Sequence, residues 1–342
     1  LSQSPDAARE VGQRIDWRLN ELYQRHLVID DYSVASYYKS TRGYYPPDEA
    51  GDERTLFAIA IATVDGELHQ AGDHQVPFAL QSLSKIVTYG LALENHGREY
   101  VLRRVGVEPS GEAFNSIIFD ERHNRPYNPM VNAGALVTSD LVPGENAAEK
   151  FDHILRKLRV YTGNPSLEVD IETFEAEMRR ADHNRATAYL MRSQGMIAGD
   201  VEATLALYLR QCSVRVNCGD LAVMAATLAN GGINPLTGEC ALPRGRVRDV
   251  VSVMYTCGMY DFAGEWAYEI GVPAKSGVSG GILCVIPGKM GIGVFSPGLD
   301  PYGNSVRGVR VCQEISERLG LHIFATEDED VMLGASAANG DR

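Results

Sequence analysis

The sequence predicts an α+β fold in which a mixed sheet is assembled from both ends of the chain around a large helical insertion. Three observations carry this. Hairpin-like strand patterns stand at residues 56–72 and again at 281–297. The stretch from about 111 to 250 reads as helices, and an amphipathic helix closes the pattern at 304–320. The expected organisation is an N-terminal helical segment (1–30), a discontinuous α+β sheet domain (31–110 and 251–325), a helical subdomain (111–250) and an acidic tail or linker (326–342). A cleft is expected between the two lobes.

Element by element, residues 10–25 are polar with helical spacing, and 30–52 are rich in Tyr, Gly, Pro and acids, which reads as an extended loop. LFAIAIATVDGELHQAG alternates around Asp65-Gly66, a hairpin signal. FALQSLSKIVTYGLAL (78–93) reads as a buried helix. Asp200 is placed to cap VEATLALYLRQC, and GDLAVMAATLANGG opens with Asp near its start and ends on a glycine pair. Lys275-Ser276-Gly277 is expected at the start of an edge strand. GGILCVIPGKMGIGVFSP is two apolar runs joined by Pro-Gly, and NSVRGVRVCQEISERLG ends a helix before Gly320.

The 342 residues carry a net charge of −13, which argues against a nucleic-acid partner. No apolar run approaches the roughly 18 to 20 residues that span a bilayer, and the N-terminus has no signal-peptide core. The six cysteines, all from Cys212 onward, form no CxxC pair and lack histidines at ligand spacing. A reduced, cytoplasmic protein without structural zinc is expected.

Lys85 is the only formal charge between Asp73 and Glu94. On a helix it neighbours Ser82, and the same face continues through Ile86, Tyr89 and Leu93. Buried without an acid nearby, a lysine loses proton affinity; moving its pKa from about 10.4 to about 7 costs roughly 4 to 5 kcal/mol. A free amine beside a hydroxyl can take its proton and make it a nucleophile. The blander reading is a chance Ser-x-x-Lys whose lysine snorkels to solvent. Lys275-Ser276-Gly277 then supplies a second element. Ser-x-x-Lys followed by Lys-Thr-Gly marks serine β-lactamases and penicillin-binding proteins, and Lys-Ser-Gly fills the second role here.

FALQSLSK, VEPSGEAFNS, NPMVNAGALVTS, LANGGINPLTGE, GMYDFAGEWAYEIGVPAKSGVSGGI and FSPGLDPYGNSVRG together resemble the bacterial and mitochondrial glutaminase family, in the family's order. The resemblance implies a β-lactamase/penicillin-binding-protein-like fold and hydrolysis of L-glutamine to L-glutamate and ammonia without metal or organic cofactor. It implies Ser82 as nucleophile, Lys85 as general base and Tyr260 as a further catalytic group. It places Asn132, Glu177, Asn184, Tyr208, Tyr260 and the Val278 amide at the substrate, together with an upstream tyrosine. The Tyr-x-Pro wording favours Tyr44 for the last, whereas ungapped spacing favours Tyr45. The residues between Glu177 and Asn184 depart from the family's wording. A homodimer or homotetramer is likewise implied. Two competing readings share these residues. One is a penicillin-recognising serine hydrolase, which would be exported; the other is a glutamine sensor without turnover, which has no use for a neutral lysine.

Overall fold

The structure, a computed structural model, describes residue 16 and residues 18–29 and 55–325. Five antiparallel strands form the main sheet. They are β1 (Ala58–Thr63), β2 (Leu68–Gly72), β5 (Ala274–Ser276), β6 (Gly281–Ile286) and β7 (Met290–Phe295), in the order β2-β1-β7-β6-β5. The two hairpins meet at the centre, where β1 pairs with β7 through Ala60↔Gly293 and Ile61↔Ile292. Residues far apart in sequence thus share one sheet, as expected for an α+β fold.

The side-chain alternation decides what packs on each face. In AIAIAT, Ile59 and Ile61 join one core cluster, with Ile282, Cys284, Ile292 and Val294 from the neighbouring strands. That face is covered by α1 (18–27), α11 (Ala263–Glu269) and α12 (Val306–Leu319), with Trp266 and Ile315 reaching into it. The opposite face presents Ala58, Ala60, Ala62, Gly291 and Gly293, and small residues let a helix lie flush. That helix is α9 (Cys218–Ala229). A Cβ on Gly291 would stand 2.1 Å from the Ala226 amide nitrogen, and one on Gly293 would stand 2.5 Å from the Cys218 carbonyl. Although α9 falls within residues 111–250, it therefore packs directly on the sheet. Asn217 caps it and Asp220 completes a capping box, so the acid expected near the cap sits at the third helical position.

The remaining helices are α2 (Lys85–His96), α3 (Arg98–Arg104), α4 (Asn132–Asp140), α5 (Ala147–Thr162), α6 (Ile171–Arg179), α7 (Asp182–Ser193), α8 (Val201–Cys212) and α10 (Arg244–Cys257). A short ribbon pairs β3 (Phe78–Ala79) with β4 (Arg215–Val216). Asp200 caps α8 by accepting from the Ala203 amide, as its position predicts. The run 78–93 is not one helix. Its start is strand, Gln81–Ser84 form a 3₁₀ turn, and α2 begins at Lys85. The backbone of Gln81, at φ +51°, interrupts any helix that would begin earlier. Lys275-Ser276-Gly277 closes its strand rather than opening it. Among the described residues, no helix is long and apolar enough to cross a membrane.

Gly293→Val should destabilise the protein by about 2 kcal/mol or more, because backbone rather than a movable side chain blocks the new methyls. A lowered urea midpoint with an unchanged slope would register this; an unchanged midpoint would mean that α9 can lift off the sheet.

Candidate active site

Ser82 sits on the 3₁₀ turn between the ribbon and α2. The chain before it is pinned by the β3–β4 pairing and by the Leu80 amide donating to the Val214 carbonyl at 2.8 Å. The Ser84 hydroxyl closes the turn by donating to the Gln81 carbonyl at 2.8 Å. Gln81 carries left-handed backbone, a strain that persists only where the surroundings over-determine it. The turn ends as α2 begins, so Ser82 and Lys85 share one side.

Lys85 is fully buried, and its Nζ stands 3.0 Å from Ser82 Oγ. It donates to Asn132 Oδ1 at 2.8 Å. Burial pushes its pKa down to about 8, with only a small opposing effect from the Cys212 thiol. No carboxylate among the described residues forms an ion pair with it. Cys212 itself is pushed up to about 11 by burial and remains a neutral thiol, 3.7 Å from Ser84 Oγ.

Asn132 joins three elements. Its Oδ1 accepts from Lys85 and from the Tyr208 hydroxyl at 3.1 Å, and its Nδ2 donates to Asn184 Oδ1 at 3.1 Å. Its own position at the start of α4 is set by Asn128. The Asn128 Oδ1 accepts from the Met130 and Val131 amides, while its Nδ2 donates to the Glu108 carbonyl. Gly134 of the NAGA motif is required there, since a Cβ would come within 1.9 Å of the Asn128 carbonyl. Glu177, half-buried on α6, meets the Gln81 side chain, whose Nε2 donates to Glu177 Oε1 at 3.4 Å.

The opposite wall comes from the sheet edge. The Tyr260 hydroxyl donates to the Ser276 carbonyl at 2.9 Å, and Tyr260 packs with Val278, Leu299 and Phe114. Burial drives its pKa well up, while hydrogen bonds with Ser82 and Ser276 act the other way. Its φ is +58°, a second strained position. Lys275 is also fully buried. Its Nζ donates to the Ser276 and Gly258 carbonyls at 2.7 and 3.1 Å and lies 4.4 Å from the Tyr260 ring centre. Burial first, and the Lys85 charge second, hold its pKa well below the usual lysine value. The Ser82 and Val278 amides donate to no backbone carbonyl among the described residues.

Ser82, Lys85, Asn132, Asn184 and Tyr208 thus form one connected chain of contacts, Tyr260 and Val278 stand opposite, and Glu177 joins through Gln81. Tyr44 and Tyr45 lie outside the described residues. Sequence reasoning left Gln81 and Phe114 out of the site; it singled out Lys275 through the Lys-Ser-Gly motif but gave its side chain no role. The Phe114 ring packs tilted, at 39° and 4.5 Å between centroids, on Tyr260, and its carbonyl accepts from the Asn132 amide. The signal for Lys275 was present as a second lysine in an apolar stretch. No cluster of His, Cys, Asp or Glu among the described residues is suited to hold a metal.

The family model described as Glutaminase matches residues 43–324. A glutaminase of Trichormus variabilis is 55% identical over 306 residues, covering 90% of this chain and 89% of the relative. A solved probable glutaminase, ybaS, superposes with a TM-score of 0.85 at 37% identity, covering 92% of this chain and 99% of the other. A probable glutaminase from Bacillus subtilis gives a TM-score of 0.82 at 33% identity, covering 91% and 98%.

The Lys85 burial has a consequence for stability that is separable from chemistry. Its proton affinity is lower folded than unfolded, so the penalty is full below about pH 8 and fades as pH rises toward the unfolded value of 10.5. Lys85→Met should therefore stabilise the protein at pH 7 by on the order of 3 kcal/mol, with the gain shrinking by pH 10. Denaturant melts at both pH values measure this; equal gains at both would show that desolvation of the charge is not the cause.

Proposed function

The chain belongs to the glutaminase family, and from that premise we propose that it hydrolyses the side-chain amide of L-glutamine through an acyl-enzyme on Ser82, with Lys85 as general base. The observation that carries this reading is a fully buried lysine, its pKa near 8, placed 3.0 Å from a serine hydroxyl without a carboxylate partner. With the amine unprotonated, the Ser82 O–H donates to Nζ, while Asn132 Oδ1 occupies one amine N–H and aims the lone pair at the serine.

In the first step the Ser82 oxygen bonds to the amide carbon as its proton passes to Lys85. The developing oxyanion is met by the Ser82 and Val278 amides, a type of contact worth about 3 to 4 kcal/mol per donor. The proton is returned to the amide nitrogen by Lys85, or relayed through Tyr260, and the carbon–nitrogen bond breaks to release ammonia. Water then attacks the ester, Lys85 takes its proton, and glutamate leaves with Ser82 restored.

Substrate selection follows from charge. Glu177 pairs with the α-ammonium; Asn132, Asn184 and Tyr208, with Tyr44 or Tyr45 from upstream, hydrogen-bond the α-carboxylate. Fixing both charged ends sets the distance to the amide carbon, so side-chain length is selected. No metal enters this sequence. We further propose a homodimer or homotetramer acting in the cytoplasm. All six cysteines are free thiols, consistent with a reducing compartment, and Tyr268 and Phe324 present exposed rings suited to a subunit contact.

Ammonia release from L-glutamine should fall by about a thousandfold or more in Ser82→Ala and Lys85→Ala, with folding retained. A folded wild-type protein that binds glutamine but releases no ammonia would sink the hydrolase reading in favour of a sensor. The same assay carries the pH test. Because the base must be unprotonated, kcat/KM should climb with pH up to a limb near 8; a flat profile across that pH would remove Lys85 from the role.

A further inference from the structure

Behind the Phe114–Tyr260 pair lies a second cavity of about 420 Å³, within the range of small-molecule sites. It is bounded by the segment from Pro109 to Phe114, by Met130 and Val131, and by the end of α10 with the start of α11. None of Ser82, Lys85, Asn132, Glu177, Asn184 and Tyr208 lines it. The cavity therefore shares Tyr260 with the catalytic site, while the rest of its lining is separate from the residues placed at the substrate.

Its chemistry is one-sided. Phe114, Tyr255 and Tyr260 contribute aromatic rings, and the lining holds no Lys, Arg or His. Its carboxylates are Glu112 and Asp261, and neither forms an ion pair or accepts a side-chain hydrogen bond among the described residues. The Cys257 thiol, pushed up to about 11 by burial, adds no negative charge at neutral pH.

We propose that this cavity binds a small organic cation with an apolar body, such as a substituted ammonium, and that its occupancy changes turnover. Lys275 lies over the Tyr260 ring and Lys85 over the Phe114 ring, so Tyr255 is the lining ring with no lysine over it among the described residues. The Tyr255 face and the two unpaired, exposed carboxylates attract a cation into the half-enclosed space. The same pattern repels glutamate, so the product is not the occupant. The coupling runs through the shared wall. Tyr260 holds a strained backbone, its ring packs at 4.5 Å on Phe114, and its hydroxyl reaches the Ser276 carbonyl beside Ser82. An occupant that favours one arrangement of these two rings shifts the population in which Tyr260 is in register with Ser82. The binding half of the proposal stands on the cavity alone; the turnover half rests on the function proposed above.

The test is calorimetric titration of the whole protein with benzyltrimethylammonium at fixed ionic strength, using benzyl alcohol and phenylacetate as neutral and anionic controls. One-to-one binding is expected for the cation, weakened by about tenfold or more in Glu112→Gln/Asp261→Asn, a double variant with unaltered thermal midpoint. Saturating cation should change kcat for ammonia release in the wild type and leave the double variant unaffected. No saturable binding up to about 10 mM, equal affinity for benzyl alcohol, or equal affinity in the double variant would each overturn the site. Displacement of the cation by L-glutamate would overturn it too, by assigning the cavity to the substrate pocket. Binding with unchanged kcat would overturn the coupling. Failure of the glutaminase reading would appear separately, as no ammonia from the unliganded protein while calorimetry still reports the cation.

Discussion

The buried amine of Lys85, whose proton affinity burial lowers, is the constraint on which the rest of the site depends. Lowering a lysine's pKa to about 8 requires that its surroundings be apolar or uncharged, with no carboxylate to hold the proton. Asn132, Tyr208, Ser82 and the neutral Cys212 thiol meet that condition. An aspartate in place of Asn132 would occupy the same space and accept the same hydrogen bonds, yet it would hold the proton on Lys85. The amide is therefore the residue type that both orients the amine and leaves it basic. Glu177, the carboxylate on α6, is met by the intervening Gln81 side chain.

The second buried lysine obeys the same rule from the other side of the cleft. Two protonated amines in one low-dielectric space repel, and the Lys85 charge is the second-largest cause of the lowered Lys275 pKa. Lys275 and Tyr260 both donate to the Ser276 carbonyl, and Lys275 also reaches the Gly258 carbonyl. Lys275 thus joins the strand that leads to Val278 to the turn that carries Tyr260. The Gly258 position permits this join, because a Cβ there would stand 1.8 Å from the Ala274 carbonyl. Lys-Ser-Gly is consequently a device for positioning the tyrosine and the Val278 amide relative to each other.

Much of this was legible because the relevant signals are carried by residue type. The Ala/Ile alternation of β1 names its two faces, and Asp200 names the start of α8. A lone lysine in an apolar run names its own buried state. What was not legible depends on backbone conformation. Nothing in the residue types of Gln81 or Tyr260 announces a positive φ, since glutamine and tyrosine ordinarily avoid it. The helix expected over 78–93 was therefore drawn about two turns too long at its start. Phe114 resisted for another reason. It contacts Tyr260 across 146 positions of sequence, in a tilted 4.5 Å packing that only the folded chain brings together. Asn128 was hidden in the same way, because its role lies in backbone groups on both sides of a turn.

The two strained residues also explain why the scaffold is built so tightly. Each sparsely populated backbone state costs about 1 to 3 kcal/mol and returns to an ordinary conformation unless the surroundings forbid it. Gln81 is held between a strand pairing on one side and the closed turn into α2 on the other. Tyr260 is held between Gly258, pressed against β5, and the Ser276 carbonyl. The turn that carries Ser82 packs against α2, α8, β5 and β6, and β6 is itself held by α9, which meets the sheet at glycines 291 and 293 with no space to slide. A looser core would let either residue relax, and relaxation at either one would part Ser82 from Lys85 and Tyr260. The close contact of α9 with the sheet thus holds β6 and, through it, the layer on which the Ser82 turn rests.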